Sequence, residues 1–299
     1  MTARSTPRLP RYKRAASPPP MQLTDRDEKI ISCVSEFRFA TQEQLQALVF
    51  TPTTASSCKR RLTLLYHNGY LDRRLIPLRS AFGSNRAVYC LDRRGAELLS
   101  YRHKTGSAVI HWRPADNNRE LYFLEHMIAA NDVRSAATLA AQRMSLTINW
   151  TDERELRSRA MKQLVKDPKK PTTLLAVVPD GYFVLQAGEH LDGFALELDR
   201  GTVEERPFKE KVRALGEWKV TGTYRRTFKM DSLRVLFVVA PNKRDKGRLE
   251  RIKSWTEAEG GENLFWFTDL SEVSPETLFV EPIWNVAGRT GQTALLTGR

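Results

Sequence analysis

The stretch VVPDGYFVLQAGEHLDGFALELDRGT, residues 177–202, restricts the fold more than any other part of this chain. Two apolar, strand-like runs, 182–185 and 194–199, flank the polar turn AGEHLD, so the stretch reads as an antiparallel hairpin. Yet Asp180, Glu197 and Asp199 are set into it. A carboxylate in an apolar strand is costly to desolvate unless positive charge meets it. That charge can come from an arginine, a lysine or a metal ion.

Side chains alternate along a strand, so Phe194, Leu196 and Leu198 point one way and Ala195, Glu197 and Asp199 the other. A turn centred on Glu189 and His190 would set Asp180 opposite Asp199, with Glu197 one step along. Three carboxylates on one face raise one another's pKa, and a divalent cation relieves the repulsion. Oxygen ligands of this kind suit Mg²⁺ or Mn²⁺, which can activate water for phosphodiester hydrolysis. Such chemistry also wants a nearby lysine. Lys209 and Lys211 lie on the helical stretch after DRGTVEERPF, and Lys211 is the expected partner. Glu155, on a preceding helical stretch, is a candidate extra ligand or helper. The alternative is structural: Asp180 caps a turn before Gly181, while Glu197 and Asp199 pair with Arg200, Arg213 or another cation.

The surrounding sequence supplies a sheet for this hairpin. SLTINW reads as a strand, DERELRSRAMKQLV as a polar helical stretch and DPKKPTT as a solvated loop. The runs LLAVVPDGYFVL, GFALELD, SLRVLFVVA and LFWFTDL read as strands. EERPFKEKVRALGEWKVTG and KRDKGRLERIKSWTEAEG read as helices between them. Alternation of this sort implies a small α/β sheet.

The first third has a different grammar. Thr24 with Asp27, and Thr41 with Gln44, have the spacing of helix-capping boxes. Ile30, Ile31, Val34 and Phe37 follow the first cap at helical intervals, and Leu45, Leu48 and Val49 follow the second. A third helix buries Cys58, Leu62, Leu65 and Tyr66 and stops at Asn68-Gly69. Two short strands around a Gly-Ser-Asn turn and a helix near Asp92 come next. Three helices and then a hairpin is the order of a winged helix-turn-helix, whose third helix enters the DNA major groove. Its outward residues here would be Thr54, Ser56, Ser57, Lys59, Arg60 and Arg61. The wing would offer Arg73, Arg74, Arg79 and Arg86 to phosphates or the minor groove. The bland alternative is a protein-binding winged helix with a merely solvated basic face. A long helical stretch over 115–143, with Leu121, Leu124 and Ile128 on one stripe, bridges the halves or serves as a dimer face. His126 on it reads as a hydrogen-bonded structural residue.

The net charge of +13 favours an anionic partner, nucleic acid above all. Residues 1–20 carry Arg4, Arg8, Arg11, Lys13 and Arg14, five prolines and no acid, so a disordered arm that lies along phosphates is expected. Cys33, Cys58 and Cys90 fit no zinc spacing and read as buried thiols in a reducing cytosol. No run is apolar enough to span a membrane, and the opening segment lacks the apolar core of a secretory signal, so export is not expected.

Together, VPDGYFVL, FALELDRGT and FKEKVRAL resemble the PD-(D/E)xK nuclease-like fold. More narrowly, with LEHMIAANDVRSA and the winged-helix start, residues 22–245 resemble the replication-relaxation family of bacterial plasmids and mobile elements. The resemblance implies an α+β or α/β chain, a winged helix-turn-helix followed by a nuclease-like α/β domain. Its divisions would be a basic arm (1–21), the DNA-binding domain (22–112), a linking helix (113–143), the nuclease-like domain (144–285) and a flexible tail (286–299). It implies a cytoplasmic bacterial protein of replication or mobilisation that binds double-stranded DNA, with a homodimer and replication or mobilisation proteins as further partners. Asp180 and Glu197 match the motif's two acids. Its lysine, two places after the glutamate, is replaced by Asp199, so Lys211 would have to supply that charge and Asp199 could join the metal shell. Two outcomes stand open: a Mg²⁺-dependent nicking enzyme, or a non-catalytic replication or transcription regulator whose second domain serves dimerisation or docking. A protein-interaction adaptor that never touches DNA is the third class.

Overall fold

The computed structural model describes residues 9–50, 54–76, 86–102, 112–158, 163–241 and 245–296. The chain divides into two compact units, 1–131 and 132–299.

In the first unit, α1 (Asp25–Phe37), β1 (Ala40–Thr41), α2 (Gln42–Val49) and α3 (Ala55–His67) are followed by β2 (Leu71–Ile76), β3 (Arg86–Leu91) and α4 (Arg93–Arg102). Both expected capping boxes form: Thr24 and Asp27 start α1, and Thr41 and Gln44 start α2. The strands pair in the order β1-β3-β2, all antiparallel, which adds the short β1 to the expected hairpin. One face of this sheet closes over α1 to α3, with Ile31, Val34, Leu45, Leu62 and Leu65 fully buried. The other face packs Phe39, Val88 and Cys90 against Leu124 and Ile128 of α5 (Leu121–Arg143). Leu121, expected on that stripe, is instead 43% exposed. Asn131 breaks the stripe for a reason: its amide donates to the carbonyls of Phe37 (3.0 Å) and Phe39 (2.7 Å), closing the turn between α1 and β1. Burial pushes the Cys58 thiol up to about 11, Glu43 adding to the effect, as suits a packing residue.

Residues 9–20, where a free arm was expected, contain no helix or strand but are fastened to this unit by several hydrogen bonds. Arg4 and Arg8 lie outside the described residues.

The second unit is built on a seven-stranded mixed sheet. In chain order come β4 (Thr147–Asp152), α6 (Glu153–Ser158), β5 (Gln163–Asp167), β6 (Lys170–Val177), β7 (Gly181–Ala187), β8 (His190–Asp199), α7 (Glu205–Val220), α8 (Thr223–Phe228), β9 (Leu233–Val239), α9 (Arg248–Ala258), β10 (Phe265–Asp269), β11 (Trp284–Val286) and β12 (Gln292–Thr293). The sheet order is β12-β11-β10-β9-β8-β7-β4. β8, β9 and β10 run parallel, and the outer strands pair antiparallel. Parallel neighbours need crossovers, and α7 and α9 provide them. Phe208, Val212 and Trp218 of α7, with Ile252 of α9, pack in one cluster with Ala195, Val235, Phe237 and Phe267 of the sheet.

Three expectations change here. In the polar stretch after β4, Glu153–Ser158 is helical as expected, but 163–167 form a strand; β5 and β6 make a separate two-stranded sheet against α7. Residues 286–296 are no loose tail: β12 closes the sheet edge and Leu295 is buried. The hairpin turn is also tighter than expected. Ala187 pairs with His190, leaving a two-residue loop, so every pairing moves by two and Asp180 falls beside Glu197, not Asp199.

Candidate functional site

The acids meet at the carboxyl end of β8. Asp180 precedes β7; its backbone N–H donates to the Leu196 carbonyl (3.0 Å), and its Oδ2 accepts from the Leu198 N–H (2.8 Å). This ties Asp180 to the strand that carries Glu197. Glu197, only 2% exposed, sits on the face covered by α7. There Lys211 reaches it, with Nζ 2.6 Å from Oε2. Lys209 does not join them; it pairs with Glu205, one turn back on α7.

Lys211 is the electrostatic centre of the group. Burial alone would push its ammonium down, but the carboxylates of Glu197, Asp180 and Asp199 outweigh that and hold it above the ordinary lysine range. It therefore stays protonated at neutral pH. It can orient and neutralise, but it is no reservoir of a free base.

Asp199 has a different role from the one expected. Both its neighbours and its depth commit it: Arg248 donates to Oδ2 from Nε (3.1 Å) and from a terminal nitrogen (2.7 Å), while the Gly201 N–H reaches Oδ1. The same guanidinium donates to the Val203 carbonyl (2.7 Å), fastening the loop between β8 and α7. Both partners are buried, and the pair is internal to the fold. Arg213, a candidate partner for the acids, turns instead to Asp167 (2.9 and 3.1 Å) and Glu259 (3.1 Å), and so joins β5 to α7 and α9. Arg213, with further help from the Lys169 N–H, holds the Asp167 carboxyl below the usual range. Arg248 was not singled out from the sequence; it lies 49 residues from Asp199, and no local spacing marks it.

Glu155 is on α6, the helix that follows β4. The last residue of β4, Asp152, pairs with Gly181, so α6 begins at the corner of the sheet where Asp180 stands. Among the described residues, no group of three or more histidine, cysteine or carboxylate side chains could hold a metal ion. A three-carboxylate shell of Asp180, Glu197 and Asp199 is thus not what the fold builds. With Asp199 committed to Arg248, Asp180 and Glu197 are the carboxylates that could supply ion ligands, and they fit an oxygen-ligand ion only in part.

On the first unit, Ser56, Ser57, Lys59 and Arg60 are exposed on α3, and Thr54 is half-buried at its start. Arg61 is not available to a ligand: its Nε donates to Asp27 Oδ1 (2.7 Å) and a terminal nitrogen to the Gln22 carbonyl (3.1 Å). It neutralises the buried acid of the α1 capping box. The wing arginines are also engaged. Arg73 lies 4.1 Å over the Tyr66 ring and donates to the Arg11 carbonyl; Arg74 donates to the Asn117 carbonyl (3.0 Å); Arg86 approaches Glu43 (3.5 Å) and Thr41 (3.3 Å). Arg79 lies outside the described residues. The exposed basic pair on α3 is therefore Lys59 and Arg60.

Residues 31–231 match the family model described as replication-relaxation. No curated protein matches the chain. Two solved structures of the restriction endonuclease FokI align weakly. The DNA-bound form is 11% identical and the other 13%; in each, 85% of this chain meets 45% of FokI at a TM-score of 0.27. The chain thus spans less than half the length of FokI, and similarity at that level assigns no fold. Among the described residues, no helix is long and apolar enough to cross a membrane.

Proposed function

The chain belongs to the replication-relaxation family, and from that membership we propose that it is a DNA-binding protein of plasmid or mobile-element replication or mobilisation whose second unit nicks DNA at Asp180, Glu197 and Lys211. The observation that carries the reading is the 2.6 Å contact from Lys211 to Glu197. It supplies, from a helix, the cation that a PD-(D/E)xK-like motif would place where Asp199 stands.

Each residue has a task in this reading. Asp180 and Glu197 would hold Mg²⁺ or Mn²⁺, which when bound supplies an activated water and offsets charge on the phosphate. Lys211, protonated throughout, orients the attacking water and balances the extra negative charge of the pentacovalent phosphate. Glu155, at the corner beside Asp180, is the candidate helper. Exposed Ser56, Ser57, Lys59 and Arg60 would bring the duplex to the protein, the cations setting affinity and the small donors adding base contacts. The winged helix-turn-helix reading of the first unit rests on the order α1-β1-α2-α3-β2-β3.

Supercoiled plasmid incubated with the full chain and Mg²⁺ tests this. Conversion to open circles is expected, with Asp180→Ala, Glu197→Ala and Lys211→Ala each lowering the rate by about 10²-fold or more. Plasmid left equally intact by the wild type and by all three variants defeats the nicking half. A second reading, a non-catalytic regulator, then stands; the commitment of Asp199 to Arg248 and the absence of a three-acid group among the described residues favour it. In that case duplex binding falls in Lys59→Ala/Arg60→Ala and ignores the acids.

A further inference from the structure

We infer that residues 9–20 form a preset duplex-contacting strap that lengthens the basic face of α3, with Arg14 as the latch that positions it. The inference rests on the DNA-binding half of the proposed function and adds a surface to it. Residues 9–20, LPRYKRAASPPP, contain no acid and make no helix or strand. Such a segment has no core of its own, so its placement must come from contacts with the unit behind it.

Those contacts are specific. Arg14 donates to the Leu71 carbonyl (3.1 Å), pairs with Asp92, approaches Asp72 (3.5 Å) and lies 5.0 Å over the Tyr66 ring. The Ala15 N–H donates to His67 Nδ1 (3.0 Å), and Asn68 donates to the Pro19 carbonyl (3.0 Å). Arg73 donates to the Arg11 carbonyl. The strap is therefore held through backbone groups and one arginine. Left outward are Arg11, Tyr12 and Lys13; Tyr12 is 72% exposed, with the Arg11 guanidinium 5.6 Å from its ring centre. An exposed tyrosine between two cations contributes nothing to a core, and the trio suits a phosphate backbone.

Position and charge point the same way. Lys59, Thr63 and Tyr66 recur at i, i+4 and i+7, so they share one stripe of α3 and span about 10 Å. The strap crosses that stripe at Tyr66, beyond the exposed Lys59 and Arg60. Without the strap, the surface there would present Asp72 and Asp92, which repel a duplex. Arg14 neutralises them, and Arg11 and Lys13 turn the spot basic. A strap already in place spares the ordering cost that a free tail would meet on binding.

Anisotropy titrations of a labelled duplex with the full chain, between 50 and 200 mM salt, test this. Arg11→Ala/Lys13→Ala should lower the slope of log K against log salt by up to about 1.8, at roughly 0.9 per phosphate contact. Arg14→Ala should weaken binding about fivefold at 50 mM salt, because the unlatched strap must then be ordered on binding and Asp72 and Asp92 are left uncovered. Thermal melts monitored by circular dichroism establish that the variants are folded; Arg11→Gln/Lys13→Gln serves if the alanines are not. Wild-type protein that binds no duplex defeats the DNA reading itself. Wild-type binding with an unchanged slope in the Arg11/Lys13 variant, or with Arg14→Ala indistinguishable from wild type, overturns the strap alone.

Discussion

Asp199 stands two residues beyond Glu197, where the resembling motif carries a lysine, and Arg248 gives it a structural task. Breaking a buried, doubly hydrogen-bonded pair from one side strands the other charge, at a cost of about 3–5 kcal/mol. Arg248→Ala should therefore lower the chemical-denaturation midpoint strongly. Asp199→Asn should also destabilise, yet its folded fraction should nick plasmid near the wild-type rate, unlike Glu197→Ala. A nicking loss in Asp199→Asn as deep as in Glu197→Ala, with the protein folded, would return Asp199 to the active group. Lys211 was legible because it follows Glu197 on the next helix, a short crossover away. Arg248 was not, because parallel strands place residues far apart in sequence side by side.

At the scale of elements, local chemistry was read well where side chains bond their own backbone. Thr24, Thr41 and their partners three residues on mark helix starts without any help from distant residues. The hairpin register was not read, and the reason is local too. Gly188 takes φ +61°, which suits the first central position of a two-residue loop, so the strands pair as far as Ala187 and His190. A shift of two keeps every strand side chain on its face, which is why Ala195 and Glu197 still fall together on the face covered by α7. Gly193 on β8 is fixed by packing: a methyl there would overlap the Tyr224 hydroxyl and lie 2.7 Å from that of Tyr182 and 2.8 Å from the Ser232 carbonyl. Those two hydroxyls are 2.9 Å apart and buried, with Tyr224 donating to the Ser232 carbonyl. Gly193→Ala should cost about 1–3 kcal/mol in a thermal melt. An unchanged melting temperature would mean that the tyrosine pair is not held as described.

For the whole molecule, a charge of +13 becomes a binding surface only where cations remain exposed. Many arginines serve the fold instead, among them Arg14, Arg61, Arg213 and Arg248. Duplex affinity should fall as salt rises, and Lys59→Ala/Arg60→Ala should reduce that slope by up to about 1.8. A titration in which the Lys59/Arg60 variant matches the wild type at every salt concentration would remove α3 from the interface. By itself the sequence determined the helix starts, the apolar strands and the alternation of side chains along β8, because capping and alternation act over a few residues. Only the tertiary structure decided which cation each acid meets, and which basic residues stay free for a partner. Those pairings join residues far apart in the chain, Asp199 and Arg248 by 49 positions, and strand order and helix crossovers, not sequence spacing, bring them together.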